Sequence, residues 1–342
     1  MAVRVGINGF GRIGRSFTRA LLARGGGSGV ELVAVNDPMG DNHTLAFLLK
    51  HDSVGGVLQN SVEATDDGFA IDGTDVRRLG VMDPAEIPWI DHDVNVVVES
   101  TGLFTAREKA AAHLGGPVER VVISAPSGDA DATICMGVND DVFDSAQHSV
   151  ISNASCTTNC LAPLAKVLHT SFGIEQGLMT TVHAYTSEQS LVDLAKTTRS
   201  GKPDLRRMRA AALSIIPTTT GAARAIGLVL PELQGKLDGT SLRVPTPTGS
   251  ITDLSAQLAT SASVDEVNDA FAKAAADASY RGVLEYSDEE LVSADIVGNP
   301  ASCIYSSVDT MANGSLVKVL GWYDNEWGYS NRLIDLIAFV GA

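Results

Sequence analysis

Cysteine is scarce in this chain of 342 residues: there are four, Cys135, Cys156, Cys160 and Cys303, at irregular spacing. So few cannot staple a fold of this length, which excludes a disulfide framework. Basic side chains are also scarce, 25 Lys and Arg against 41 Asp and Glu, for a formal charge of −16. That balance offers no electrostatic footprint for nucleic acid or an anionic membrane, although a local cationic pocket for a small anion is compatible with it. No uncharged apolar run approaches the ~20 residues of a membrane span. The opening MAVRVGINGF has no charged region followed by an apolar one, so it predicts no secretory signal. No His, Cys or acidic cluster has ligand spacing, and no metal is expected. The expectation is a reduced, cytoplasmic protein.

What is present is glycine, 33 residues, and alternating texture. Residues 3–7, 32–35, 94–99 and 120–124 are short apolar runs bounded by Gly, Pro, Asp or Asn, as buried parallel strands are. Between the first two, Ile13, Phe17, Leu21 and Leu22 recur at helical spacing over 12–24. This βαβ alternation predicts an α/β doubly wound sheet. Asp66-Asp67-Gly68 and Asp72-Gly73 read as hairpin turns. From residue 156 the pattern changes: a helix from 156, a strand over 178–184, a long polar segment over 186–204, then further strands around a helix over 264–278. The second half reads as α+β with a mainly antiparallel sheet. The expected division is 1–155, completed by a C-terminal helix over 325–342, and 156–324.

Gly9-Phe10-Gly11-Arg12-Ile13-Gly14 is G-x-G-x-x-G placed after a strand and opening a helix, and Asp37 ends the second strand. Glycines permit a tight turn and close approach to a pyrophosphate, and the helix start offers free N–H groups. A carboxylate at Asp37 suits ribose hydroxyls and repels a 2′-phosphate, which favours NAD over NADP.

Ser155-Cys156-Thr157 precedes an apolar helical face, so Cys156 lies at or near a helix N-terminus, where the dipole favours thiolate and lowers the pKa. A nucleophile and a buried packing thiol are both open readings. His183, near a strand end, is either a core histidine or the base such a cysteine needs. Arg207, Arg243 and the run Thr218-Thr219-Thr220-Gly221 offer guanidinium, hydroxyl and backbone donors suited to phosphate, and a solvated basic turn is the other open reading for the two arginines.

The strings INGFGRIGR, VND, ESTGLF, VVISAPS, SNASCTTNCLAP, TVHAYT, DLRR, PTTTGAARA, GLVLPEL, RVPTPTGS and WYDNEWGYS stand in this order along the chain. With them the sequence resembles the phosphorylating glyceraldehyde-3-phosphate dehydrogenases over essentially its whole length. The resemblance implies a nucleophile at Cys156 and a base at His183, which with the Cys156 N–H stabilises an oxyanion. It implies NAD contacts at Gly9, Gly11, Arg12, Ile13, Gly14, Asp37, Arg78, Ser124 and Asn325. It also implies a substrate-phosphate site at Thr186 and Arg243, and an inorganic-phosphate site at Ser155, Thr157, Thr220 and Gly221 with Arg207 nearby. Glyceraldehyde 3-phosphate, inorganic phosphate and a homotetramer are the implied partners. An erythrose-4-phosphate dehydrogenase shares most of these motifs, and a non-catalytic redox-sensing or binding relative would keep the fold.

The departures lie mostly in one segment. HAYTSEQSLVDLAKTTRSGKPDLRR is longer than the family's usual segment, and Ser187-Glu188 replaces the commoner Asn-Asp. Ala195 replaces a frequent Pro that helps exclude a 2′-phosphate, so that Asp37 favours NAD while strict exclusion of NADP is not implied. Arg224 replaces a usual Lys. The longer loop over 187–203 is either drift or the mark of a specialised copy whose thiol is shielded from alkylating inhibitors.

Overall fold

A computed structural model describes residues 2–198 and 201–342, so Arg199 and Ser200 of the longer loop lie outside the described residues. The chain divides into two compact units, residues 1–155 with Ser330–Ala342, and Cys156–Tyr329. The expected C-terminal piece therefore starts later than 325, and Asn325 falls in the second unit.

The first unit carries a nine-stranded sheet in the order Ala132–Thr133, Val150–Ser152, Arg120–Ile123, Val96–Glu99, Val3–Asn8, Val30–Asn36, Thr74–Leu79, Gly68–Ile71, Val62–Thr65. The first seven strands pair in parallel, and the last two are added as antiparallel hairpins. Parallel strands are covered on both faces, which is why Val96, Val97 and Val98 are consecutive, apolar and buried. The acidic turns close the hairpins as their residues demand: Asp72 and Gly73 both hold positive φ, 48° and 81°. The helix Arg12–Arg24 occupies the expected span. At its end Arg24 reaches the side chain and carbonyl of Asn331 and the carboxylate of Asp335, fastening the last helix to its own unit.

The second unit has a seven-stranded sheet in the order Ile216–Thr219, Leu237–Val244, Ile174–Ala184, Ser250–Leu258, Leu316–Tyr323, Cys303–Asn313, Leu284–Ser287. Two of its pairings are parallel and the rest antiparallel. Strand Ser250–Leu258 alternates buried and half-buried positions along its whole length, the period-two signature of a sheet covered on one face. The covering layer includes helix Cys156–Phe172, longer than its apolar pattern predicts, and helix Val264–Ala276, started by a reciprocal Ser263–Glu266 capping box. Among the described residues the segment from Thr186 to Asp204 forms no helix or strand, only isolated bridges at Ser190 and Thr197. No helix of the described residues is long and apolar enough to cross a membrane.

Candidate active site

In the first unit the three glycines of the loop do three different things. Gly9 holds φ 93°, and a Cβ there would lie 2.7 Å from the Thr101 nitrogen. Gly14 packs so tightly that a Cβ would meet the Gly9 carbonyl at 2.6 Å. Gly11 caps the helix and faces open space, with nothing within 4 Å of an added Cβ. A turn glycine, an approach glycine and a packing glycine are what a pyrophosphate loop needs. Arg12 and Ile13 form the helix's first turn, and Arg12 is ion-paired with Asp52.

Asp37 is pinned at the carboxyl end of strand Val30–Asn36. One oxygen accepts from the Phe10 N–H at 2.8 Å and the other from the Met39 N–H at 2.9 Å. The carboxylate is thus fixed against the glycine loop while each oxygen keeps a lone pair. Arg78 donates to the carbonyls of Asp37, at 2.9 Å, and Gly40, closing the same loop from the neighbouring strand. Ser124 follows strand Arg120–Ile123, its N–H donating to the Glu99 carbonyl at 3.0 Å. Gly9, Asp37 and Ser124 therefore share the carboxyl edge of the parallel sheet. The chain order reverses there between Val3–Asn8 and Val96–Glu99, the place where open α/β sheets bind nucleotides. The open face above Gly11 and the fixed carboxylate fit NAD.

In the second unit the central contact is between sulfur and imidazole. Cys156, first residue of its helix, places Sγ 3.4 Å from His183 Nε2, and it is the one cysteine of the four that is not fully buried. His183 arrives by sheet register: strand Ile174–Ala184 runs parallel to Leu237–Val244 with His183 directly beside Arg243. The Nδ1 atom of His183 lies 2.7 Å from the Ala184 carbonyl and 2.6 Å from Arg243 Nη1. A guanidinium only donates and a carbonyl only accepts, so Nδ1 serves one of them at a time. With its proton on Nδ1, donated to Ala184, the ring aims a lone pair from Nε2 at sulfur and is a base. With Nδ1 accepting from Arg243, Nε2 carries the proton and becomes a donor toward sulfur. Arg243 therefore bears on which form is present.

The charge state corrects the expectation from the helix dipole. Burial pushes the Cys156 thiol up to about 11, and the nearby charge of Arg243 and hydrogen bonds from Thr157 only partly oppose it. Burial and then Arg243 push His183 down to about 3. The resting pair is neutral, thiol beside imidazole, because desolvation of a half-buried thiol and a buried imidazole outweighs one helix terminus.

Arg207 is brought to the hydroxyl run, its Nε donating to Thr218 Oγ1 at 3.1 Å. Thr220 Oγ1 accepts from the Ala222 N–H at 3.1 Å, and Gly221 caps the following helix with open space beside it. Thr186 donates through its N–H to Gln189 Oε1 at 2.8 Å. Thr157 is buried; its hydroxyl lies 2.9 Å from the Tyr323 phenol, and its side chain and N–H also hydrogen-bond to Cys156. Asn325 is buried, with Oδ1 accepting from Ser250 Oγ at 2.8 Å, and that serine also accepts from the Ala184 N–H. Ser155 immediately precedes Cys156.

Two contributors were not singled out from the sequence. Tyr323 bridges Thr157 and Thr181 through its hydroxyl, at 2.9 and 2.8 Å, and sets its ring edge-on to His183, 5.9 Å between centroids. Ala154, two residues before the cysteine, holds φ 54°, an uncommon conformation for a residue with a Cβ and one found at functional turns. Tyr323 stood inside WYDNEWGYS as a recognisable string; an alanine in that conformation leaves no compositional signal.

Comparison with known proteins agrees with this geometry. Residues 3–107 match the NAD binding domain of glyceraldehyde 3-phosphate dehydrogenase, and residues 155–325 its C-terminal domain. The chain is 56% identical over 342 residues to glyceraldehyde-3-phosphate dehydrogenase of Streptomyces coelicolor, covering 100% of this chain and 99% of that one. It is 57% identical over 346 residues to that of Mycolicibacterium smegmatis, and 57% over 345 to that of Mycobacterium tuberculosis, with the same coverage. Matches to both domain descriptions and identities of this size over full-length chains leave one conclusion: the chain belongs to the glyceraldehyde-3-phosphate dehydrogenase family.

Proposed function

We propose that the protein is an NAD-dependent dehydrogenase that oxidises and phosphorylates D-glyceraldehyde 3-phosphate to 1,3-bisphosphoglycerate. The observation that carries the reading is the contact of Cys156 Sγ with His183 Nε2 at 3.4 Å, in a chain whose full-length relatives bear that enzyme's name. His183 in its Nδ1–H form accepts the thiol proton while sulfur bonds to the aldehyde carbon, giving a hemithioacetal on Cys156. The neutral resting pair favours this order, since the proton leaves sulfur only as the new bond forms. The Cys156 N–H and the protonated imidazole stabilise the oxyanion. Bound NAD supplies the hydride acceptor, held by Gly9, Gly11, Arg12, Ile13, Gly14, Asp37, Arg78 and Ser124, with Asn325 orienting the carboxamide. Inorganic phosphate then attacks the Cys156 thioester and releases the acyl phosphate.

Thr186 and Arg243 receive the substrate's own phosphate. The attacking phosphate lies by Ser155, Thr157, Thr220 and Gly221, with Arg207 nearby. Phosphate on Arg243 neutralises the charge that opposes protonation of His183, so substrate binding itself strengthens the base. Residues 1–155 with the C-terminal helix form the NAD-binding part and the remainder the catalytic part. A homotetramer is supported by apolar side chains exposed along one segment: Leu191 at 86%, Val192 at 73%, Leu205 at 71% and Leu213 at 86%. Four unpaired cysteines, one of them the nucleophile, suit a reducing compartment, and we assign the cytoplasm on that ground. The erythrose-4-phosphate and non-catalytic readings have no comparable support.

The test is the initial rate of NAD reduction with glyceraldehyde 3-phosphate, with and without phosphate or arsenate. Rates that require the anion and vanish in Cys156→Ser are expected. Rates indifferent to the anion would overturn the phosphorolytic step.

A further inference from the structure

Glu188, one of the residues by which this chain departs from its family's usual segment, stands between the two arginines assigned to phosphate. A single oxygen, Oε2, lies 3.7 Å from Arg207 Nη2 and 3.6 Å from Arg243 Nη2. These are charge contacts, too long for hydrogen bonds. The Glu188 side chain is 54% exposed, so it has room to leave, whereas Arg243 is 14% exposed and fixed by its donation to the Ala184 carbonyl at 3.1 Å. Arg243 Nε is buried without a partner. Arg207 has a second acid in reach, Asp204 at 3.6 Å; for Arg243, Glu188 supplies the ion pair found among the described residues.

The longer loop holds the acid there. Lys196 Nζ donates to the Glu188 carbonyl at 2.7 Å and approaches the Ser187 carbonyl at 3.4 Å. Lys196 is itself anchored by its carbonyl, which accepts from the Asp204 N–H at 3.0 Å, within the stretch that carries Arg207. An oxygen bridging two guanidinium groups sits as an oxygen of a bound phosphate would.

We propose that Glu188 is a built-in counter-ion for the anion site, held by Lys196 across Arg207 and Arg243, which phosphate groups must displace in order to bind. This rests on the assignment of those arginines to phosphate. With the acid in place, Glu188 and Asp204 together offset the two guanidinium charges; with Glu188 swung out, one net positive charge faces the incoming anion. The longer loop then tunes affinity for phosphorylated ligands without touching the thiol. Arg243 also borders His183, so the same displacement reports to the base.

The experiment uses the full-length enzyme and inorganic phosphate as the probe. Phosphate affinity is read from protection of Cys156 against the uncharged alkylating agent iodoacetamide, and KM for glyceraldehyde 3-phosphate from initial rates. Glu188→Gln keeps the shape and removes the charge; phosphate binding tightens and KM falls, each about two- to fivefold, the range of one or two partly exposed ion pairs. Glu188→Asp keeps the charge and stays near wild type. Lys196→Met loosens the tether and moves both values in the same direction by less. If Glu188→Gln leaves affinity unchanged or weakens it while Arg243→Gln weakens it, Glu188 merely orients the arginines and the proposal fails. If neither Arg207→Gln nor Arg243→Gln alters phosphate affinity, the assignment beneath it fails and the proposal falls with it.

Discussion

The nucleotide loop and the thiol–imidazole site are built on opposite plans. The loop's defining residues lie within one turn of chain, Gly9 to Gly14, and each glycine answers a local demand that a Cβ would violate or a ligand would feel. The second site collects residues from five separate stretches: Cys156 from a helix start, His183 and Arg243 from two adjacent strands, Glu188 and Arg207 from a long irregular segment, and Tyr323 from a further strand. A local device is robust to rearrangement elsewhere and fragile to a single substitution. A distributed one depends on sheet register, and each member tunes the others through charge and hydrogen bonding.

The sharpest break in the comparison is His183→Gln. Turnover falls on the order of 10²–10⁴-fold, the usual contribution of a positioned base, while NAD affinity, measured by fluorescence titration, is retained. The same variant alters acid stability with a definite sign. His183 is held neutral, its pKa depressed to about 3 by burial and by Arg243. Between the unfolded value of about 6.5 and that figure, the unfolded chain binds a proton that the native state refuses. Stability therefore falls as pH drops through that window. Denaturant titrations from pH 7 to 4 show a shallower decline in His183→Gln than in wild type; equal slopes would mean that this histidine is charged in the fold.

Gly9→Ala and Gly11→Ala sharpen the other side. At Gly9 the positive φ and the Thr101 nitrogen at 2.7 Å make alanine destabilising by about 1–3 kcal/mol, seen as a lower melting temperature. At Gly11 the space is open, so the apoprotein melts close to wild type and the loss appears only in NAD affinity. The two variants separate folding from ligand approach within one loop. Tyr323→Phe is the mildest: losing the phenol that joins Thr157 to Thr181 lowers stability by about 1–2 kcal/mol and lowers kcat by loosening His183, with KM for NAD unchanged.

Much of the first unit was legible because its signals are periodic or conformational. Continuous valines mark buried parallel strands, the helix over 12–24 shows its apolar stripe, and Asp-Gly pairs mark the hairpins. In the second unit the strands and the irregular segment were legible, but their spatial order was not. Nothing in the residues around His183 says that Arg243, sixty positions on, is its neighbour. Helix position suggested a lowered thiol pKa for Cys156, and the structure reversed it, because desolvation depends on what packs around the sulfur and not on where it stands in the helix.

The sequence by itself determined the fold class, the glycine loop with its acid, and the presence of a thiol, an imidazole and scarce arginines, since these follow from residue type and local spacing. Tertiary structure alone decided that sulfur and imidazole meet, that both rest neutral, that Tyr323 holds Thr157 beside them, and that Glu188 stands between two arginines. Register and burial set those relations, and both are properties of the packed sheet rather than of any stretch of chain.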